Sequence, residues 1–202
     1  MARAISALRV ILASGSPRRH DLLNLIGIQH EVIPANIDES LRGRERPSKH
    51  AERLAREKAG AVAGRDSNIV AIGADTIVLI DKKILGKPAN TVDAGSMLSL
   101  LSGRRHTVVT AVAVARGKMI SSAVEEVAVK FRELSDDEID AYIATGEPMD
   151  KAGAYGIQGY GATIVERIEG DYFAVMGLPL VRVVSLLADV GVTYRFGKLS
   201  AQ

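Results

Sequence analysis

The sequence predicts an α/β protein. Three observations carry that expectation. Apolar runs alternate with amphipathic stretches. The first of those runs turns through small residues into a helix. Ile69–Ile80 is a long, nearly continuous apolar strand.

Leu8–Ala13 reads as the first strand. Ser14-Gly15-Ser16 then turns the chain into a helix, where Ser16 suits the N-cap and Pro17 the first helical position. Leu22, Leu25 and Ile26 form the inner face, and Gly27 ends the helix. A second strand is expected near Glu31–Pro34, followed by a polar, basic loop over Arg42–Pro47. Ser48 caps a helix running to about Ala63. After Ile69–Ile80, the turn Asp81-Lys82-Lys83 leads into a partner strand at Ile84–Leu85. Asp93–Leu101 is a short helix stopped by Ser102-Gly103. His106–Ala115 and Met119–Phe131 form a hairpin around Arg116-Gly117-Lys118. Ser135-Asp136-Asp137-Glu138 is a capping box that opens a helix to about Ala144. A Gly-rich stretch from Gly146 to Gly161 precedes strands at Thr163–Ile168 and Tyr172–Val175. Pro179 starts a last helix, with Leu180, Val183, Val184 and Leu187 on one face. From about Phe196 the chain is expected to fray. With no repeat or linker, 1–202 reads as one domain, its core at about 8–195 and its ends short and flexible.

Apolar residues make up 47% of the 202, enough to bury a core. The absence of Cys excludes disulfides and thiolate chemistry. No apolar run approaches the roughly 20 residues of a membrane span, and Met1–Arg9 lacks the apolar stretch of a signal peptide. A cytoplasmic protein without membrane attachment is expected. With 26 basic and 24 acidic residues the net charge is +2, too balanced for a general nucleic-acid binder. Aromatic content of 4% disfavours base-stacking platforms. Phosphates, if handled, would be handled at a local site. The four histidines, at 20, 30, 50 and 106, have no HxH or HExxH spacing, which argues against zinc. Ser16 and Ser102 lack an elbow motif, which argues against a serine hydrolase.

Four segments could carry chemistry. In Ser14-Gly15-Ser16-Pro17-Arg18-Arg19, a strand enters a small-residue loop that opens a helix, and free N–H groups there attract anions. Arg18 and Arg19 oppose the helix dipole, a penalty an anionic ligand would reverse. A capped helix with two solvated arginines is the plain alternative. In Gly73-Ala74-Asp75-Thr76, a carboxylate inside an apolar strand is costly unless paired, hydrogen-bonded or metal-bound. Strand alternation puts Asp75 and Thr76 on opposite faces unless Gly73 marks a bulge. Lys58 falls within the stripe Ala51, Leu54, Ala55, Ala59 and Val62, so its stem snorkels, the commoner outcome, or its head enters a cleft. Lys87 in Gly86-Lys87-Pro88 is a loop lysine, usually solvated. In Glu147–Gly159, glycines permit close approach to a ligand, and Gln158 offers both a donor and an acceptor to a base edge. A tight structural loop explains the same residues.

Taken together, the segments resemble the Maf-like nucleotide pyrophosphatases. The matching stretches are Leu12–Arg19, Glu57-Lys58-Ala59, Gly73–Thr76, Gly86-Lys87-Pro88, Ser102-Gly103 with His106 and Thr110, Glu147-Pro148 with Asp150–Gly159, and Gly177-Leu178-Pro179-Leu180. They occur in family order from residue 12 to 180. The resemblance implies one α/β domain of two lobes around a mixed sheet with a central cleft, in an inosine triphosphate pyrophosphatase-like architecture. It implies hydrolysis between the α- and β-phosphates with Asp75 as proton acceptor. It implies substrate choice through Arg18, Thr76 and Gln158, in the combination of the dTTP/UTP branch, modified pyrimidine nucleotides included. Ser14, Ser16, Arg19, Lys58 and Lys87 would bind phosphate. A divalent cation, Mg²⁺ first and Mn²⁺ or Co²⁺ in its place, would use Asp75 and Glu39 as oxygen ligands. Glu39 also reads as a solvated loop acid. A homodimer is open to such a chain, and no nucleic-acid partner is expected. Two rivals stand beside this reading: a pyrophosphatase preferring purine nucleotides, and a non-catalytic nucleotide-binding regulator of cell division.

Overall fold

In the computed structural model, residues 8–64 and 66–201 are described, so the Met1–Ala7 part of the opening stretch lies outside them. In chain order the elements are β1 (Arg9–Leu12), α1 (Pro17–Leu25), β2 (Glu31–Val32), α2 (Pro47–Ala63), β3 (Ile69–Ile80), β4 (Lys83–Leu85), α3 (Thr91–Leu101) and β5 (Arg105–Arg116). They continue with β6 (Met119–Phe131), α4 (Asp136–Ala144), β7 (Val165–Glu169), α5 (Tyr172–Met176), α6 (Leu180–Asp189), β8 (Val192–Arg195) and β9 (Lys198–Ala201). Three short 3-10 turns lie within 147–163. The main sheet runs β2-β1-β3-β5-β6-β7, with β4 on β3. It is parallel at β2-β1-β3 and antiparallel at β6-β7, so the expected α/β class holds with a mixed sheet.

The described residues form two compact units. The first takes the chain up to Asp75, Ala111–Val124 and everything from Gly177. The second takes Thr76–Thr110 and Glu125–Met176.

In the first unit, Arg9–Leu12 pair in parallel with Ile69–Ile72, and Ile11 and Leu12 with Glu31 and Val32. Parallel neighbours need crossovers, which α1 and α2 supply. A parallel strand covered on both faces reads as an unbroken apolar run, and Val70–Ala74 are accordingly all buried. Helix α2 buries the stripe Ala51, Leu54, Ala55, Lys58 and Ala59. Helix α6 buries Leu180, Val183, Leu186 and Leu187. In the second unit, β4 folds back on β3 through Asp81 and Lys82, both at positive φ, the requirement of a tight hairpin turn. Its core gathers Leu98, Leu101, Val129 and Phe131, all fully buried, each large side chain worth about 1.5–3 kcal/mol of burial. The capping box forms as expected, with Ser135 Oγ accepting from the Glu138 N–H and the Glu138 carboxylate accepting from the Ser135 N–H.

Several local expectations are corrected. Leu22 is buried as expected, but Leu25 is 66% exposed and Ile26 only half-buried, and Leu23 and Ile28 are buried in their place. Ser16 occupies the N-cap of α1 without a side-chain bond. Helix α2 begins at Pro47 with Arg46 as N-cap, one residue ahead of the Ser48 start. Val184 is only half-buried, and Leu186 takes its place on the inner face. Tyr172–Val175 is helical, because the Asp171 carboxylate accepts from the Phe173 N–H at 2.8 Å and the Asp171 carbonyl from the Val175 N–H. The expected fraying from Phe196 is replaced by a hairpin: β8 and β9 pair from Val192–Ala201 to Arg195–Lys198, and Tyr194 Oη donates to the Ile26 carbonyl at 2.8 Å.

Candidate active site

The site in the first unit begins with a missing side chain. A Cβ built on Gly73 would lie 2.4 Å from the Ala55 carbonyl oxygen and 2.6 Å from the Ala59 nitrogen. Only glycine lets the backbone of α2 rest on β3 here. Gly73 and Asp75 are two residues apart on the strand, so both face α2. Lys58 therefore arrives over Asp75. Its Nζ donates to Asp75 Oδ1 at 2.9 Å and pairs with Glu39 Oε1 at 2.8 Å. Lys58 and Asp75 are each 8% exposed. The lysine head is thus buried against two carboxylates, and the snorkelling outcome is excluded.

Glu39 comes from the loop before α2 and keeps more than half of its side chain exposed. Asp38 Oδ1 accepts from the Ser40 N–H at 2.9 Å, and Arg53 Nη2 of α2 donates to the Ser40 carbonyl at 2.9 Å. Arg53 also pairs with Glu45 at 2.7 Å. These contacts fix the loop on either side of Glu39.

Between β1 and α1, Ser14 is buried and its Oγ accepts from the Ser16 N–H at 3.3 Å and from Arg19 Nη1 at 2.9 Å. Arg19 also donates from Nη1 to the Ala74 carbonyl at 2.9 Å and from Nε to the Gly177 carbonyl at 2.8 Å. One guanidinium therefore ties the Ser14 loop to the residue before Asp75 and to the start of the chain's last segment. Burial lowers the Arg19 guanidinium from its ordinary value; the Asp75 charge raises it and the neighbouring Arg18 lowers it. Arg18 is half-buried, one residue before Arg19 in α1.

The remaining sequence-predicted residues belong to the second unit. Thr110 Oγ1 donates to the Ala174 carbonyl at 2.7 Å, so across the 3.0 Å contact between hydroxyls Thr76 is the donor. Lys87 is exposed, and the Gly86 carbonyl before it accepts from the Gly153 N–H at 3.0 Å. Gln158 is exposed in the Gly-rich segment. The structure thus gathers Glu39, Lys58 and Asp75 into one ion-paired group and joins Ser14 and Arg19 to it through the Ala74 carbonyl, with Arg18 and Ser16 at the helix end. Thr76, Lys87 and Gln158 each stand in their own second-unit surroundings.

Two supports of these residues were named in the sequence without that role, Gly73 as a possible bulge and His106 only within a matching stretch. Gly73 was open to detection, since a glycine inside a strand signals close backbone approach. The other is His106, buried with Nε2 2.8 Å from Tyr155 Oη and edge-on to Phe131. Burial pushes its imidazole down to about 4. His106 is therefore neutral and positions Tyr155, three residues before Gln158.

The described residues include no group of three His, Asp or Glu arranged for a metal. The oxygens of Asp75 and Glu39 nevertheless converge on a single cationic atom, Lys58 Nζ. Two hard carboxylate donors around one point of positive charge fit a divalent cation that takes its other ligands from phosphate and water.

A family model and curated relatives point to one family. A family model described as "Maf-like protein" matches residues 9–190. The chain is 49% identical over 183 residues to a dTTP/UTP pyrophosphatase of Aquifex aeolicus (strain VF5), covering 91% of this chain and 96% of that protein. It is 50% identical over 186 residues to a protein of the same name from Moorella thermoacetica (strain ATCC 39073 / JCM 9320), again at 91% and 96% coverage. Among solved structures, a HAM1 protein from Coxiella burnetii aligns at 16% identity and a TM-score of 0.47, covering 90% of this chain and 99% of that one.

Proposed function

This chain belongs to the Maf-like protein family, and on that premise we propose that it hydrolyses dTTP and UTP to the nucleoside monophosphate and pyrophosphate. The carrying observation is the buried Asp75 carboxylate held by Lys58 beside Glu39. The curated relatives named for this activity support the substrate class.

In this reading Asp75 orients a water and takes its proton as the water oxygen attacks the α-phosphorus. The bond from that phosphorus to the α–β bridging oxygen breaks, and its electron pair leaves on pyrophosphate. Asp75 and Glu39 would hold a divalent cation, Mg²⁺ by preference, which when bound supplies positive charge to phosphate oxygens and acidifies water. Lys58 neutralises the two carboxylates and lends its charge to phosphate. The N-terminus of α1 after Ser16, with Arg18, favours an anion through its first-turn N–H groups and dipole. Ser14 and Arg19 keep that loop in shape and stand beside it for phosphate. Lys87 is assigned to phosphate, and Arg18, Thr76 and Gln158 to the choice of base. Nucleoside triphosphates are a cytoplasmic pool, so the proposed enzyme is assigned there, as a single Maf-like domain.

Incubation of the purified chain with Mg²⁺ and a panel of dTTP, UTP, dCTP, ATP, ITP and 7-methyl-GTP tests the reading. Pyrophosphate and monophosphate from dTTP and UTP are expected. Orthophosphate and a diphosphate as products, or turnover of 7-methyl-GTP or ITP with dTTP and UTP untouched, would overturn it.

A further inference from the structure

The Gly-rich segment is built around one carboxylate. Glu147 opens a 3-10 turn just after α4. Its Oε1 accepts from Tyr142 Oη at 2.7 Å and from the Gly161 N–H at 3.0 Å. Its Oε2 accepts from the Tyr160 N–H at 2.9 Å. Tyr142 Oη in turn accepts from the Gly156 N–H at 3.1 Å. The chain is therefore held two residues before Gln158 and again two and three residues after it.

The glycines fit this arrangement. Gly159 has φ +63, and a Cβ there would lie 2.4 Å from Glu147 Oε2. A Cβ on Gly161 would lie 2.1 Å from the Gly156 carbonyl oxygen and 2.7 Å from Tyr142 Oη. The loop closes on the carboxylate so tightly that side chains are excluded at both places. Burial raises the Glu147 carboxyl, but bonds from Tyr142, Gly161 and Tyr160 and the Lys151 charge outweigh it and hold the group below its usual range. Gln158 makes none of these bonds and is exposed.

We propose that Glu147, acting with Tyr142, is a positioning residue that fixes the Gln158 loop and thereby sets the nucleotide selectivity of the enzyme. This rests on the reading of Gln158 as a selectivity residue. A carboxylate suits the task because it accepts from several N–H groups at once and donates to none. In Glu147→Gln an NH₂ group faces a backbone or hydroxyl donor, and the loop on one side of Gln158 is released.

The test is a double-mutant cycle read as selectivity, the ratio of kcat/KM for dTTP to that for dCTP. Glu147→Gln and Gln158→Ala are each expected to lower that ratio by about tenfold, the scale of one lost substrate hydrogen bond, with the loss appearing in KM for dTTP. If Glu147 acts through Gln158, the double variant loses no more than either single one. Additive losses of about a hundredfold, or full selectivity in Glu147→Gln, overturn the proposal. If Glu147→Gln does not fold, Tyr142→Phe replaces it, removing the acceptor for the Gly156 N–H, and full selectivity there has the same force. Amide hydrogen exchange at Gly156, Tyr160 and Gly161 reads the loop without nucleotide. Faster exchange in the Glu147 or Tyr142 variant is required, and unchanged exchange overturns the inference outright. Intact selectivity in Gln158→Ala alone, with faster exchange in the others, instead sinks the reading of Gln158 and with it the selectivity role of Glu147.

Discussion

The α2–β3 face and the Gly-rich segment each hold a carboxylate out of full solvent, and they hold it in opposite ways. Asp75 is held by a cation, and that cation is shared with the half-exposed Glu39. Glu147 is held by a phenol and two backbone N–H groups. An ammonium on a four-carbon stem can turn to another partner, and the charge it leaves behind attracts a new cation. Backbone donors cannot turn away without unfolding the loop. The contrast teaches that a shielded carboxylate declares its use through its partners: exchangeable charge for chemistry, fixed neutral donors for shape.

The largest expected effect breaks the comparison at its reactive end. Asp75→Asn keeps the shape and removes the proton acceptor, so turnover should fall by about 10²–10⁴-fold while calorimetry still detects nucleotide binding. Unchanged turnover would remove Asp75 from the mechanism.

Next is Gly73→Ala. The new Cβ meets backbone atoms of α2 at 2.4 and 2.6 Å, so the helix must shift. A loss of up to about 3 kcal/mol is expected from denaturant melts, with turnover reduced as Lys58 moves off Asp75. Wild-type stability and turnover together would show that the contact sets nothing.

The third effect sharpens the comparison at its fixed end. His106 is held near 4 by burial, against about 6.5 when unfolded. Between those values the unfolded chain binds the extra proton. Its contribution is therefore complete above about pH 6.5 and is lost as pH falls toward 4, about 2 kcal/mol by pH 5. Urea melts at pH 7 and 5 measure it, and His106→Gln should flatten the difference. The smallest is a control at the opposite end of α4 from Tyr142. Ser135→Ala should cost about 1 kcal/mol through the α4 cap and leave selectivity untouched.

Much of the framework was legible in the sequence because local chemistry decided it. Ile69–Ile80 appears with the expected bounds, since a long apolar run between turn residues has few other uses. The Ser135–Glu138 box closes within four residues and depends on nothing distant. Lys58 and Asp75 stood out as charges in apolar surroundings. Their pairing did not, because it depends on how closely α2 approaches β3. Tyr172–Val175 reads as a short apolar strand but is helical, since the Asp171 side chain caps it locally and pattern alone does not weigh that bond. The last hairpin, β8–β9, escaped notice because polar residues and Gly197 resemble a loose tail until Tyr194 reaches the Ile26 carbonyl. Glu147 was visible only as a motif letter. Its partners are mainly main-chain N–H groups 13 and 14 residues away, which carry no side-chain signature.

Gly73 has a mechanical consequence. The interval between Lys58 and Asp75 is gauged by main chain resting on main chain, the stiffest contact a protein interior offers. Side chains absorb compression by changing rotamer, whereas a helix seated on a strand has no such slack. Hydrostatic pressure should therefore deform the exposed Glu39 loop before it alters this interval. The reactive pair is set in a rigid mount, and the piece that makes it rigid is a carbon atom left out.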